Sequence, residues 1–221
     1  MFIFQRSLID VMAQHNWDKS TLKNKKVLVL VETEYIHDEI TLYQEAFTSL
    51  GASVTFASYL WGNQEHEIVS DVDRPDGTLH TMKVDVCVST LDPNDFNAII
   101  CAANYVAVRL REIPPMHSLG TPEQIRQAPA VRFFAEAMKQ KNIVKGALCH
   151  ALWILTPCPE LLRDRKVICH TVVLADILNA GATFVPEPSR VVVDDDLVTG
   201  RSADNLEEFF VTLVETILQK S

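Results

Sequence analysis

The sequence has no excess of positive charge and no long apolar run. It carries 20 Lys and Arg against 29 Asp and Glu, so its formal net charge is −9. Binding to nucleic acid or to an anionic membrane needs a basic surface, and we expect neither partner. No apolar run approaches the roughly 20 residues of a membrane-spanning helix. The first residues lack a basic start followed by an apolar core, so we expect no signal peptide.

Spacings typical of metal sites are also missing. The five cysteines contain no C-x-x-C pair, and the seven histidines show no paired ligand spacing. We therefore expect no metal and no other cofactor. An odd number of cysteines without a disulfide pattern indicates reduced thiols, and hence a cytoplasmic protein.

Strands and helices alternate along most of the chain. A β-branched and aliphatic run over residues 27–31 predicts a buried strand, residues 36–50 a helix, and residues 54–57 a second strand. Such a unit implies a parallel pair joined by a right-handed crossover. The 221 residues are 48% hydrophobic, enough for one α/β domain with a mainly parallel sheet and helices on both faces. Further strands are predicted at 96–103, in the run from Ile143 that leads to Cys149, and at 167–170, 183–185, 191–193 and 197–199, and further helices at 130–141, 174–179 and 205–218.

Three segments depart from this alternation. Residues 1–25 are predicted to be an N-terminal extension whose helix, over residues 7–14, packs on the domain or on a partner subunit. The domain itself then covers residues 26–221. Residues 62–90 are irregular, with a hairpin around the turn Pro75-Asp76-Gly77. Residues 104–128 are expected to form a long connection without regular structure, which in a compact domain is usually functional or an insertion.

The most informative residue is Cys149, which follows an apolar run and a small-residue pair and precedes a helix-forming run. This pattern is typical of a nucleophile elbow, in which a strand turns sharply into a helix. A thiol there meets free backbone N–H groups and the positive end of a helix dipole, so we expect a lowered thiol pKa. The alternative is an inert cysteine in the core, which we expect for the other four.

Taken in order, these segments resemble the ThiJ/PfpI superfamily, which shares its fold with the amidase domain of class I glutamine amidotransferases. The resemblance covers about residues 26–218. It rests on residues 26–58 with Glu39, on the elbow Ala147-Leu148-Cys149-His150, and on the region from Arg165 to Arg201, which contains His170 and Asn179-Ala180-Gly181. It implies a flavodoxin-like three-layer sandwich and a homodimer.

The resemblance also implies roles for single residues. Cys149 matches the nucleophile, and Glu39 matches the carboxylate that hydrogen-bonds the cysteine sulfur. The N–H of His150 would help to form an oxyanion hole. His170 matches a position where many members place a histidine near the cysteine. For the side chains of His150 and His170, contact with the thiol and a purely structural role are both left open.

Two departures from the family pattern concern the pocket. Ala102 and Ala103 replace a Gly-Gly pair, and no acid stands where peptidase members complete a Cys–His–acid triad across a subunit interface, Ala107 being the nearest match. An intersubunit protease triad is therefore not expected. The segment that follows could line an oxyanion and substrate pocket, with Arg109 as a carboxylate-binding candidate. The alternative, a solvated arginine at the surface, is the one that we favour. The predicted pocket residues are Ala102, Ala103, Asn104, Tyr105 and Arg109.

Three functions fit this pattern. The first is a small-molecule enzyme, a hydrolase, hydratase or glyoxalase-like lyase, in which Cys149 adds to substrate carbon with help from Glu39. The second is a non-catalytic redox sensor or stress-protective protein that works through oxidation of Cys149. The third is an intracellular cysteine peptidase, which ranks last because the triad acid is missing.

Overall fold

The computed structural model describes residues 8–72, 77–115 and 117–220. Within them, ten strands and seven α-helices follow one another. The strands are β1 (Lys26–Leu30), β2 (Ser53–Ala57), β3 (His66–Val69), β4 (Thr81–Val84), β5 (Ala98–Cys101), β6 (Val144–Leu148), β7 (Lys166–Val167), β8 (Thr183–Phe184), β9 (Val191–Asp194) and β10 (Leu197–Gly200). The helices are α1 (Leu8–Gln14), α2 (His37–Ser49), α3 (Val106–Leu110), α4 (Pro122–Arg126), α5 (Pro129–Met138), α6 (Thr171–Asn179) and α7 (Leu206–Gln219).

Six of the strands form the central sheet, in the order β2-β1-β5-β6-β10-β9. All neighbouring strands are parallel except β9, which runs antiparallel to β10 at the edge. The fold is the flavodoxin-like α/β sandwich, mainly parallel and covered by helices, as the sequence predicts. The carboxyl ends of β1, β5, β6 and β10 meet at one edge of this sheet, which is where ligands bind in open α/β folds.

The core explains the apolar runs of the sequence. Residues 27–31, which the sequence predicts as a buried strand, are fully buried because both faces of the sheet are covered. The helices α2 and α7 pack on each other through Phe47 and Phe210, whose rings lie 5.0 Å apart in an edge-on arrangement. Near the amino end of β6, Lys145 is fully buried and pairs with the equally buried Asp196.

The predicted hairpin and N-terminal helix are both present. The strands β3 and β4 pair antiparallel, although Pro75 and Asp76 of the predicted turn lie outside the described residues. In α1, Val11 is buried, and just after it His15 lies 3.5 Å from Glu215 of α7. The described part of the extension thus packs on its own chain. Among the described residues, no helix is both long and apolar enough to cross a bilayer.

Three predictions about local structure are wrong. The segment 104–128 is not without regular structure, because α3 and α4 lie in it; α4 begins with a capping box in which Thr121 and Gln124 bond each other's backbone N–H groups. The chain after Cys149 forms a short 3-10 helix, Ala151–Leu155, and not an α-helix. The strand predicted at 167–170 ends at Val167, because the His170 side chain caps α6.

Candidate active site

The elbow places the Cys149 thiol at the carboxyl end of β6. Its backbone has a φ of +60°, which non-glycine residues rarely adopt. Neighbouring elements hold this conformation on both sides: the Cys149 N–H donates to Gly200 O at 2.9 Å, and the His170 N–H donates to Cys149 O at 3.2 Å. The side chain is only slightly open to solvent, with 7% of the residue exposed.

The pKa of the Cys149 thiol is raised, whereas the sequence predicts that it is lowered. Burial, together with the nearby Glu39 carboxylate, raises it to about 12, against an ordinary value of 9.0. The backbone N–H groups of His150, Asn104 and Ala203 face the sulfur and act in the other direction without outweighing burial. The short 3-10 helix supplies little dipole, so desolvation of the thiolate dominates. The resting thiol is therefore protonated at neutral pH.

Glu39 lies in the first turn of α2 and is fully buried. Its Oε2 accepts the N–H of Ala103 at 2.9 Å, and its Oε1 accepts the hydroxyl of Tyr43 at 2.9 Å. These contacts differ from the hydrogen bond to the Cys149 sulfur that the family resemblance implies. Burial raises the pKa of Glu39 to about 7, so near neutral pH the group is about half protonated.

The His150 side chain does reach the thiol, a point that the sequence leaves open. Its Nδ1 lies 3.6 Å from the Sγ of Cys149. The ring packs against those of Tyr105 and Trp153, with its centroid 5.4 Å from each, and these two rings also contact each other. Burial and the neighbouring His170 lower the pKa of His150 to about 4, so the imidazole is neutral at pH 7. Its Nε2 is buried and has no hydrogen-bond partner among the described residues.

The other predicted residues take different places. The ring of His170 lies 4.8 Å from that of His150, and its Nδ1 accepts the N–H of Val172. Ala102 and Ala103 are fully buried behind the thiol. Because Glu39 accepts the Ala103 N–H, that group is not free to serve an oxyanion.

Arg109 forms ion pairs with two glutamates. Its Nε lies 2.9 Å from Glu34, and its Nη1 lies 3.6 Å from Glu112. It therefore stands as a surface arginine with its charge already compensated, and not as a free carboxylate-binding group.

Two groups at the site were missed by sequence reasoning. The backbone of Ala203 faces the thiol from the segment after β10. Asp71, just after β3, accepts a hydrogen bond from the side chain of Asn104. No local motif marks either residue, because each comes from a separate part of the chain. The predicted hairpin is the one feature of the sequence that concerns the region of Asp71, because Asp71 follows its first strand, β3.

A pocket opens next to His170, at the segment that follows β10, and Cys149 is not among its described lining residues. Its cavity volume is about 530 Å³, and its wall includes Ser202, Asp204 and Asn205, which flank Ala203. Two arginines face it: Arg201 pairs with Glu187, whereas Arg190 forms no ion pair with any described residue. The lining is thus polar and carries both signs of charge, as suits a small polar ligand. The remaining lining residues are His170, Thr171 and Pro188.

No group of three or more His, Cys, Asp or Glu side chains within the described ranges is arranged to hold a metal ion. The groups that the structure brings together at the site are the thiol of Cys149, the imidazole of His150, the buried carboxyl of Glu39 and the backbone N–H groups around the sulfur.

Comparison with known proteins finds relatives in sequence and in fold. "Putative cysteine protease YraA" of Bacillus subtilis is 25% identical over 84% of this chain and 94% of its own length. Among solved structures, DJ-1 of Schizosaccharomyces pombe has a TM-score of 0.64 and 16% identity, over 86% of this chain and 90% of its own. A two-domain Anabaena variabilis protein with DJ-1/ThiJ/PfpI-like and ferritin-like domains has a TM-score of 0.71 and 21% identity. The match covers 87% of this chain but only 48% of that protein. At these identities, the structural matches establish the fold.

A family match is also found in the sequence itself. The DJ-1/PfpI family model matches residues 119–216, a stretch that includes Cys149, His150 and His170 but not Glu39. This part of the chain is therefore similar to the DJ-1/PfpI family, in agreement with the ThiJ/PfpI resemblance of the elbow and the segments around it.

Proposed function

We propose that the protein is an enzyme in which the thiol of Cys149 adds to an electrophilic carbon of a small polar substrate. The observation that carries this proposal is the surroundings of one sulfur atom. The Nδ1 of His150 lies 3.6 Å away, and the N–H groups of His150, Asn104 and Ala203 face the sulfur. A base and several backbone donors at one thiol are what addition to a carbonyl requires.

The raised thiol pKa determines how the addition proceeds. The S–H bond breaks as the S–C bond forms, and the thiol proton passes to the neutral imidazole of His150. The π electrons of the substrate C=O move onto its oxygen, which becomes an oxyanion. Because a free thiolate is scarce at pH 7, proton transfer and addition occur together.

The same adduct leads to several outcomes. Attack by water after loss of a leaving group gives hydrolysis. Proton transfer on a 2-oxoaldehyde adduct, followed by water, gives a 2-hydroxy acid, as in glyoxalase-like chemistry. Addition to a nitrile-like or isonitrile-type carbon gives hydration. Glu39 touches no substrate in this scheme and acts from behind the thiol, where its protonation removes a negative charge near the sulfur.

The test is a substrate panel with matched variants. The panel contains a 2-oxoaldehyde, an isonitrile, short amides and a peptide, and the enzymes are wild type, Cys149→Ser and Cys87→Ser. Cys87 is a half-buried cysteine in another part of the fold and serves as the control. We expect Cys149→Ser to lose roughly a thousandfold in kcat/KM while Cys87→Ser stays near wild type. Unchanged turnover in Cys149→Ser would sink the proposal, and cleavage of the peptide alone would favour the peptidase.

The redox-sensor function remains a second candidate, because the same three N–H groups could hold the oxygens of a sulfinate on Cys149. The other cysteine that could oxidise early is Cys87. Burial acts to raise its thiol pKa, but hydrogen bonds with Ser89 and the backbone outweigh burial and lower it. Mass spectrometry after mild peroxide treatment distinguishes the two. A sensor oxidises at Cys149 first, whereas earlier oxidation of Cys87 contradicts the sensor function.

We also propose a homodimer and a cytoplasmic location. Exposed apolar side chains beside the site, Tyr105 and Val172, support a subunit contact there. Analytical ultracentrifugation at several protein concentrations tests the dimer, and a monomer at all of them would contradict it. Fractionation of cells that express the tagged protein tests the location.

A further inference from the structure

We infer that Asp71 is a positioning residue for the Cys149 site, where it orients Asn104 and stabilises the charged form of His150. The inference rests on the proposed function, because it concerns the reactivity of the same thiol. Asp71 lies far from Cys149 in sequence and reaches the site by way of the hairpin formed by β3 and β4.

The backbone fixes the place of Asp71 firmly. Ser70 forms an isolated parallel bridge with Tyr35, and the Asp71 N–H donates to Tyr35 O at 2.8 Å. Tyr35 is itself fully buried, just before the helix that carries Glu39. The carboxylate of Asp71 is thus held against the same edge of the sheet as the thiol, on a half-buried residue.

Asn104 is the first group on which Asp71 acts. Its side-chain amide donates to the Oδ2 of Asp71, and the residue is only 4% exposed. Its backbone has a φ of +62°, a left-handed conformation that asparagine adopts more readily than other residues with a side chain. This conformation turns the Asn104 N–H toward the sulfur of Cys149. The hydrogen bond to Asp71 therefore holds a backbone donor on the reacting atom.

His150 is the second group. Once Nδ1 has taken the thiol proton, the ring is a buried imidazolium, and no residue in the described part of the chain accepts a hydrogen bond from its Nε2. Asp71 lies near enough to favour the charged ring, against the effects of burial and of His170. It does not bond Nε2 directly, so the interaction acts through space. Removal of this charge should make His150 a weaker base.

Other titratable groups also face the two reacting side chains, and a pH profile has to be interpreted with them in mind. Glu39 raises the pKa of Cys149, Cys149 in turn raises the pKa of Cys169, and His170 lowers the pKa of His150. Tyr105 stacks on the imidazole, and Arg111 lies over the ring of Trp153 on the far side. Among these groups, Asp71 is the one whose charge favours protonated His150.

The experiment uses the full chain and three single variants. Asp71→Asn keeps an oxygen that can accept from Asn104 but removes the charge. Asn104→Ala keeps the charge but removes the amide donor. Asp85→Asn, at an exposed carboxylate in another part of the fold, is the matched control. Two quantities are measured: the titration of His150 by NMR of histidine-labelled protein, and the pH profile of Cys149 alkylation by iodoacetamide, mapped by peptide mass spectrometry.

In wild type, His150 should be about half protonated at pH 4, since its pKa is about 4. In Asp71→Asn we expect the pKa to fall by about one unit, so that the protonated fraction at pH 4 drops to about a tenth. Alkylation at pH 7 should slow by about threefold, because the base is weaker. Asn104→Ala should leave the histidine titration unchanged and still slow alkylation. Circular dichroism at each pH checks that the fold is intact.

The outcomes separate this inference from the proposed function. The inference is overturned if the pKa of His150 in Asp71→Asn equals that of the wild type, or if Asp85→Asn shifts this pKa by the same amount. A wild-type alkylation rate in Asn104→Ala overturns the part that concerns Asn104. If Cys149 of the wild-type protein resists iodoacetamide at every pH and reacts only after unfolding, the proposed function fails, while the histidine titration still decides the role of Asp71.

Discussion

Replacement of Glu39 by glutamine should change how the stability of the protein depends on pH. The Glu39 pKa is raised by burial from 4.5 to about 7 in the folded protein. Between these values the folded state binds more protons than the unfolded chain, so stability falls as pH rises. Each pH unit is worth about 1.4 kcal/mol, which gives a loss of roughly 3 kcal/mol between pH 4.5 and pH 7 and a plateau above it. Glutamine is neutral throughout and should not show this loss.

The assay is urea unfolding of wild type and Glu39→Gln at several pH values from 4.5 to 8.5. The quantity of interest is the difference in unfolding free energy between the two proteins, because ionisations common to both cancel. This difference should move in favour of the variant by up to about 3 kcal/mol as pH rises. Glu45→Gln, an exposed position on the same helix, should give a flat difference. A flat or opposite slope for Glu39→Gln would refute the argument that burial governs this carboxyl.

Two further predictions concern stability away from the site. Asp196→Asn should destabilise the fold by about 3–5 kcal/mol, because it leaves the buried ammonium of Lys145 without its counter-charge. Lys145→Met should lower the free energy of unfolding by less. Urea unfolding that gives the reverse order of the two variants would contradict this account. Gly51→Ala should cost more than Gly62→Ala in thermal unfolding. Both glycines have positive φ, at +89° and +85°, but a Cβ on Gly51 would collide with the carbonyl of Lys19, whereas one on Gly62 meets nothing within 4 Å.

The sequence predicts the sheet well because its signals are local. The buried strands β1 and β6 appear as apolar runs, and the elbow appears as a strand followed by a small pair and a cysteine. The two helices within 104–128 were missed, although the capping box at Thr121 and Gln124 is a local signal that could have revealed α4. Short helices carry too little periodicity to be recognised from their apolar residues alone.

The site is harder to predict because its electrostatics depend on burial. The motif around Cys149 favours a thiolate, yet the packed structure raises the thiol pKa, and no property of the motif reports how much water reaches the sulfur. The contact between Asp71 and Asn104 joins residues 33 positions apart. It depends on the register of the hairpin and on the backbone of Asn104, both of which are set by the tertiary fold. The partners of Glu39 are hidden from the sequence for the same reason.

The backbone of Cys149 has a cost in folding stability. Its φ of +60° suits glycine far better than any residue with a side chain, and two hydrogen bonds from neighbouring elements hold it there. A glycine at this turn would relieve the strain but would remove the thiol. The position therefore trades folding stability against reactivity, as strained residues at functional sites do.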